Sequence, residues 1–145
     1  MFYGEHEHTI DRKGRLIIPS RFREVMKEHY NERFVVTRGL DRCLFLFPED
    51  EWRTQEAKFR ALSFTKQEAR RFNRFYFSGA SELTCDRQGR VLIPPYLKEY
   101  AGIKRDVMLV GVSNRIEIWD QEEWKKFYEQ FKENYEQIAE KLLPE

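Results

Sequence analysis

Two short stretches of the chain carry residue types that bind anions. Residues 11–19 have the sequence DRKGRLIIP and residues 86–94 have the sequence DRQGRVLIP. Each places two or three cations and one aspartate around a glycine, which allows a tight turn between strands. Cationic side chains on such a turn can bind phosphate oxygens, and arginine can also donate two hydrogen bonds to guanine. The chemistry that these residues can perform is the binding of an anionic partner.

The two stretches belong to a longer internal repeat with a shift of 75 residues. Ten of the eighteen positions in 2–19 are identical to their partners in 77–94. Further matches, at a shift of 72, extend the repeat through two more strands. The sequence therefore predicts homologous modules at 5–47 and 76–119, connecting helices in 48–75, and a C-terminal helix in 120–145.

Each repeated stretch is predicted to form a basic turn between two strands, because β-forming residues flank it and proline ends the second strand. Two interpretations remain open. In one, Asp11 pairs with Arg15, and Asp86 with Arg90, only to lock the turn. In the other, the turns bind an anionic partner, which would explain their further cations. The candidate residues are Arg12, Lys13, Arg15, Arg87 and Arg90 for binding, and Asp11, Gly14, Asp86 and Gly89 for turn structure.

The order of elements predicts an α+β fold of two pseudo-symmetric modules. Each module has the order strand, basic turn, strand, short helix, strand, turn, strand. A unit of about 45 residues is marginal alone, so we expect the two to combine into one closed, barrel-like sheet. The first short helix is predicted to start at an N-cap, Ser20. Its Arg21 and Arg23 either extend the basic surface of the first turn or are ordinary solvated charges.

The first strand alternates between two faces, and the second repeat identifies the inner one. The inner positions are Phe2, His6, His8 and Ile10, and partners of three of them are Phe77, Leu83 and Cys85. His6 and His8 could point the same way as metal ligands, but no third ligand is nearby. Because His8 replaces a leucine, we expect a packed histidine there, and Cys85 as a small apolar filler.

Composition and charge exclude several classes of protein. No apolar run approaches the ~20 residues of a membrane span, and the N-terminus does not resemble a signal peptide. Two cysteines without CxxC spacing indicate reduced, cytosolic thiols. The net charge is +1, but residues 120–145 carry −4 and residues 1–119 carry +5. We interpret this asymmetry as a body that meets an anion and a tail that does not.

The helices after each module have clear signals. Capping boxes at 65–68 and 120–123 are predicted to open the second connecting helix and the tail. An apolar residue recurs every three or four positions of the tail, which predicts one amphipathic helix of about 34 Å. Its apolar stripe covers either the chain's own core or a neighbouring subunit. The second is slightly favoured, because apolar patches of that size are seldom exposed.

No catalytic signature stands out. The sequence lacks the motifs GxSxG, GxxxxGK[ST], GxGxxG and HExxH. We therefore predict no enzyme activity and no cofactor.

The doubled pattern F-x-G-x-x-E-x-T-x-D-R-x-G-R-(L/V)-(I/L)-I-P resembles the MraZ family, and the resemblance covers nearly the whole chain. These are bacterial transcriptional regulators with two AbrB-like (SpoVT-AbrB) swapped-hairpin modules. The resemblance implies a cytoplasmic, nucleoid-associated protein that forms rings. It also implies binding to double-stranded DNA, at short repeated boxes upstream of the division and cell-wall gene cluster. Arg15 and Arg90 match the positions expected to contact DNA, and Gln88 leaves the second turn one cation short.

Two other functions remain open. One is a regulator of the antitoxin type, whose modules bind DNA while the tail helix captures a protein partner. The other is a structural ring scaffold, in which the basic turns form salt bridges between subunits.

Overall fold

The computed structural model describes residues 1–144, which form eight strands and six helices. The first repeat contributes β1 (Phe2–Thr9), β2 (Arg15–Ile17), α1 (Ser20–His29), β3 (Arg33–Arg38) and β4 (Leu44–Pro48). The connecting helices are α2 (Glu49–Arg60) and α3 (Gln67–Ser78). The second repeat contributes β5 (Ser81–Thr84), β6 (Arg90–Leu92), α4 (Pro95–Ala101), β7 (Asp106–Ser113) and β8 (Arg115–Asp120). The tail contains α5 (Gln121–Phe131) and α6 (Tyr135–Leu142). None of the helices in residues 1–144 is long and apolar enough to cross a membrane.

Both repeats contribute strands to one antiparallel sheet of six strands in the order β1-β7-β8-β4-β3-β5. The hairpins β3–β4 and β7–β8 meet at the centre, where β4 pairs with β8. The first strand of each repeat pairs with the hairpin of the other, β1 with β7 and β5 with β3. Each hairpin is therefore completed by a strand from the opposite repeat.

The sheet is open, so the prediction of a closed barrel was wrong. Its outer strands are β1 and β5, while β2 and β6 pair with each other in a separate two-stranded ribbon. One isolated bridge, between Ile10 and Leu16, connects β1 to this ribbon. The ribbon strands have three residues each and end before Pro19 and Pro94, which cannot donate a ladder hydrogen bond. They are too short to continue the sheet, but the α+β class with two repeats is confirmed.

The sheet separates two cores. The first core lies between the sheet, the β2–β6 ribbon, α1 and α4, and it contains Leu16, Phe22, Val91 and Leu97. The second core lies on the opposite face and is covered by aromatic side chains of α2 and α3, with Trp52 and Tyr76 buried. The ribbon and its loops therefore lie across the sheet from α2 and α3.

The two repeats differ where they match most closely in sequence. Phe2 is fully buried in the first core, whereas its partner Phe77 lies in the last turn of α3, with its ring 5.7 Å from that of Trp52 in the second core. The prediction for Phe77 was wrong because α3 occupies the segment that corresponds to the start of β1. Leu83 is buried and Cys85 partly buried against the first core, as predicted.

The predicted helix starts are only partly confirmed. Asp120 caps α5, since its side chain accepts a hydrogen bond from the Glu123 backbone at 3.2 Å. Ser20 is the first residue of α1 rather than its cap. At 65–68, the hydroxyl of Thr65 bonds to that of Ser63, and α3 has no side-chain cap.

The tail is two helices, so the prediction of a single one was wrong. The break lies at 132–134, where the Asn134 backbone donates to the Phe131 carbonyl at 2.8 Å. The Asn134 side chain donates to the Gln130 carbonyl at 3.3 Å. Asparagine side chains compete with the backbone for such carbonyls, and this competition favours the end of a helix.

Candidate nucleic-acid interface

Loop 1 (residues 11–15) is a tight turn closed by the carboxylate of Asp11. Its Oδ1 accepts hydrogen bonds from the backbone of Lys13 and Arg15, both at 2.9 Å, and its Oδ2 accepts one from Arg15 Nε at 2.6 Å. The Gly14 backbone donates to the Asp11 carbonyl at 3.0 Å. Gly14 has a φ of +88°, which glycine adopts without steric cost. Sequence and geometry therefore agree on the need for this glycine.

Loop 2 (residues 86–90) has the same construction. Asp86 Oδ1 accepts from the backbone of Gln88 and Arg90 at 2.9 Å, and Oδ2 accepts from Arg90 Nε at 2.8 Å. Gly89 has a φ of +78°. The aspartate and the arginine of the motif therefore pair with each other in both loops.

The lock stabilises the ionised form of each aspartate. The backbone N–H of Arg15 holds the pKa of the Asp11 carboxyl below its ordinary value of 3.8, and the Arg15 side chain contributes further. The backbone N–H of Arg90 lowers the pKa of Asp86 in the same way. Hydrogen bonds and a positive charge both favour a carboxylate over the neutral acid. Both loops are therefore locked throughout the neutral pH range.

The β2–β6 ribbon joins the two loops into one unit. Its strands are antiparallel over three residue pairs, so the loops lie at its opposite ends. Beyond these pairs, Ile18 N–H donates to the Gly89 carbonyl at 2.9 Å, and Ile93 N–H donates to the Gly14 carbonyl at 2.8 Å. Each loop is thus hydrogen-bonded to the strand that follows the other loop.

The lock leaves most of the predicted cationic groups accessible. Arg12, Lys13 and Arg87 are exposed, and the side chains of Arg15 and Arg90 retain 39% and 29% of their accessible area. The Nη groups of Arg15 and Arg90 form no hydrogen bond within residues 1–144, since only Nε contacts the aspartate. One edge of each guanidinium is fixed while its outer edge can bind a ligand. Locking and binding are therefore compatible roles.

Arg23 lies beside loop 2, so the expectation that it lies beside the first turn was wrong. A Cβ added to Gly89 would lie 2.6 Å from Arg23 Cζ, and Arg23 Nε donates to the Ile18 carbonyl at 3.0 Å. The cause is the direction of β2, which runs from loop 1 towards loop 2 before α1 begins. Arg21 is exposed on the same helix.

A groove of about 400 Å³ separates α1 from loop 2 and adds cations to this end of the ribbon. Its charged lining residues are Arg23, Lys27, Arg33 and Arg87, together with Glu32 and Asp86. Sequence analysis missed Lys27 and Arg33 because they become neighbours of loop 2 only when the repeats share a sheet.

The excess positive charge of the body is not concentrated at the loops, which corrects our interpretation of the charge asymmetry. Loop 1 carries +2 and loop 2 carries +1, whereas residues 58–74, at the end of α2 and in α3, carry +5. A count over short windows of sequence would have found this cluster. The difference in charge between body and tail is therefore weak evidence for the function of the loops.

His6, His8 and both cysteines are at least partly buried. The His6 ring packs edge-on against Phe22 at 4.8 Å, and His8 is half-buried, where burial and the charge of His6 lower its pKa. Cys43 is buried and Cys85 partly buried, and burial raises the pKa of both free thiols. Within residues 1–144, no three His, Cys, Asp or Glu side chains gather as metal ligands could.

Comparison with known proteins gives two kinds of match. A family model described as "MraZ protein, putative antitoxin-like" matches twice, at residues 1–75 and 76–144. Curated relatives named "Transcriptional regulator MraZ" include one from Desulfitobacterium hafniense, with 54% identity over 143 residues. Others are from Syntrophomonas wolfei (51%) and Heliobacterium modesticaldum (49%). In each case the match covers 99% of this chain and 97% of the relative.

Proposed function

The chain belongs to the MraZ family, and we propose that it is a sequence-specific DNA-binding transcriptional regulator. The name of its relatives is not that of an enzyme class. We propose that it acts in the cytoplasm, on the nucleoid, at repeated boxes upstream of the division and cell-wall gene cluster. The DNA-binding units would be the modules at 5–47 and 76–119. The exchange of β1 and β5 between hairpins supports describing them as swapped-hairpin modules.

The observation that carries this proposal is the matched construction of loops 1 and 2. Both present an arginine whose Nε is held by an aspartate and whose Nη groups are unused within residues 1–144. A free edge with two N–H donors at a fixed angle suits the O6 and N7 atoms of guanine, which arginine binds bidentately in the major groove. Because the lock fixes the guanidinium before binding, little side-chain entropy is lost on contact.

The other loop cations have a different role in this mechanism. Arg12, Lys13 and Arg87 are exposed and form no ion pair within residues 1–144, so they are available to phosphate oxygens. Phosphate contacts contribute affinity and position the protein without sequence information. In the proposed mechanism, Arg15 and Arg90 recognise bases while these three cations hold the backbone.

Assembly into a ring would supply the affinity that one pair of loops lacks. A ring presents the same loops repeatedly, so each bound box raises the effective concentration of the next loop at the next box. This accounts for repeated boxes in the DNA. It also predicts that a change in box spacing weakens binding even when every box keeps its sequence.

Substitution of the two motif arginines tests the proposal. Each of Arg15→Ala and Arg90→Ala should lose about 1–3 kcal/mol per specific contact, or about 5- to 150-fold in affinity, and more where several boxes are bound. The assay is a gel shift at fixed salt with the DNA upstream of the protein's own gene. Arg53→Ala is the matched control, because it removes an exposed arginine from α2 across the sheet.

Binding should also depend steeply on salt. Each phosphate contact releases condensed counterions, so the slope of log K against log salt changes by about −0.9 per contact. Wild-type binding by both arginine variants would exclude base recognition by these loops, and a salt-independent affinity would exclude the phosphate contacts.

An antitoxin-type regulator with a protein partner on the tail is the second candidate. It is favoured by the exposure of α6, in which no residue is buried. A stable complex between the tail and a different protein, formed while the loops still bind DNA, would support this candidate over the ring. The scaffold alternative requires Arg15 and Arg90 to be buried between subunits and predicts no DNA affinity.

A further inference from the structure

A strongly basic surface lies outside the loops. We call residues 58–74 the basic hairpin, since they comprise the end of α2, the connecting turn and the first two turns of α3. Six exposed cations oppose one acid, Glu68. The cations are Lys58, Arg60, Lys66, Arg70, Arg71 and Arg74, and none forms an ion pair within residues 1–144.

The tip of the basic hairpin is also apolar. Phe64 retains 78% of its accessible area and Leu62 retains 42%. Arg70 donates from Nη1 to the Phe64 carbonyl at 2.9 Å, which holds this exposed segment against α3. An exposed phenylalanine in a segment rich in cations fits a partner that is both acidic and apolar.

The tail of the same chain has this combination of properties. Neither α5 nor α6 contains a buried residue. Tyr135 and Leu142 retain 63% and 75% of their accessible area on α6. On the same helix, Glu136 and Glu140 are exposed and form no ion pair within residues 1–144.

The spacing of the charges is also compatible. Glu136 and Glu140 are four residues apart on α6, and Arg71 and Arg74 are three residues apart on α3. Side chains three or four residues apart share one helix face and are about 5–6 Å apart along the axis. Two such helices can pair two carboxylates with two guanidinium groups while their apolar residues meet.

Within one chain, no hydrogen bond or ion pair in residues 1–144 joins the basic hairpin to α5 or α6. We propose that the basic hairpin of one chain docks on the acidic, apolar tail of the next copy of this chain. Such a head-to-tail contact joins two different surfaces, and it builds a ring when the repeated rotation closes. This inference rests on the assembly part of the proposed function and assigns the contact that builds it.

DNA is the alternative partner of the basic hairpin, but the fold favours the tail of another copy of this chain. The hairpin belongs to the face of the sheet opposite the β2–β6 ribbon, so it does not extend the loop surface. Phosphates would satisfy its cations but not the exposed Phe64, whereas the tail offers carboxylates and apolar side chains together.

A charge-reversal exchange tests the contact. One variant carries Arg71→Glu and Arg74→Glu, and the other carries Glu136→Arg and Glu140→Arg. None of these four side chains has a hydrogen bond or ion pair within residues 1–144, so both variants should fold, as circular dichroism would verify. Native mass spectrometry then gives the mass of each assembly as a multiple of 17.7 kDa.

Each variant alone should have the monomer mass, because the carboxylates introduced on α3 would face Glu136 and Glu140, and the cations introduced on α6 would face Arg71 and Arg74. An equal mixture should assemble again, since the carboxylates introduced on α3 of the first variant fit the cations introduced on α6 of the second, and their unchanged surfaces also fit. A single chain with all four substitutions should assemble as well. Glu24→Arg with Glu28→Arg, on α1, is the matched charge control and should leave the assembly intact.

The outcomes separate this inference from the proposed function. A monomeric wild-type protein overturns the ring itself. A wild-type ring that persists in both variants overturns this contact and leaves DNA binding by the loops unaffected. If Arg71→Glu with Arg74→Glu keeps the ring but loses affinity for duplex DNA, the basic hairpin binds DNA, and this inference fails.

Discussion

Loops 1 and 2 share a backbone geometry but obtain their positive charge in different ways. Loop 1 carries Arg12, Lys13 and Arg15 in its own sequence. Loop 2 has only Arg87 and Arg90, but α1 of the other repeat places the Arg23 guanidinium against its glycine. Arg23 brings the number of cations at loop 2 to three, and Lys27 and Arg33 line the groove beside it. A count of charges along the sequence underestimates the positive charge at loop 2, because Arg23 becomes its neighbour only in the folded chain.

The largest expected difference between the loops concerns their glycines. A Cβ on Gly14 would lie 2.6 Å from the backbone oxygen of Ile93, whereas one on Gly89 would meet the Arg23 side chain, which can move. Left-handed backbone costs both alanine variants about 1–2 kcal/mol. The rigid contact should cost Gly14→Ala a further ~1–3 kcal/mol. Urea unfolding measures the free energy of unfolding of both variants. Equal losses of stability would mean that the ribbon backbone shifts as easily as the Arg23 side chain.

The contribution of Arg23 to loop 2 is the next largest effect. If its guanidinium contacts phosphate, Arg23→Ala should weaken operator binding and reduce the salt slope by about 1. Lys98→Ala is the matched control, since Lys98 is the partner of Arg23 in the second repeat. Fluorescence anisotropy across a salt series measures both. An equal loss of operator affinity in the two variants would mean that Arg23 does not supply loop 2 with its third cation.

A smaller effect is expected from making the loop sequences alike. Gln88 is exposed at the position of Lys13, so Gln88→Lys should add one phosphate contact and steepen the salt slope by about 0.9. Lys13→Gln should change the slope by the same amount in the opposite direction. If Gln88→Lys leaves the slope unchanged, Arg23 already neutralises the nearest phosphate.

The smallest effect is a matched response of the two locks to acid. The pKa of Asp11 and of Asp86 is lowered in the fold from 3.8, so each lock stabilises the fold above that pH and loses its contribution as the pH falls through the folded pKa. Asp11→Asn and Asp86→Asn should each destabilise the protein at pH 7. Their difference from wild type should narrow below pH 3.8, as acid titration of unfolding would measure. A different loss of stability in the two variants would mean that the locks differ in strength.

Sequence alone predicted the features that depend on local pattern. The repeat predicted two like loops, and the pairing of Asp11 with Arg15 and of Asp86 with Arg90 was available from their spacing. The cap at Asp120 was also predicted, because capping depends on neighbouring residues.

What sequence could not predict depends on how the repeats combine. Matching the two repeats placed Phe77 in a strand, because the match does not show that α3 extends into the second repeat. It also placed Arg23 with its neighbour in sequence, whereas β2 carries the chain to the opposite loop. The closed barrel was expected from the cost of open edges, but the short ribbon strands leave the sheet open.

The hydrogen bonds between the loops have a consequence for the choice of target. Because Ile18 bonds to Gly89 and Ile93 to Gly14, the distance between the two loops is fixed by main chain. In the antiparallel ribbon, Arg15 and Arg90 lie two residue steps apart, about 7 Å along the strands. Substituting side chains can alter which base pairs a chain prefers, but the interval between those base pairs is a property of the polypeptide backbone. Among proteins with this ribbon, the base sequence of the operators should therefore vary more than the spacing between the contacted base pairs.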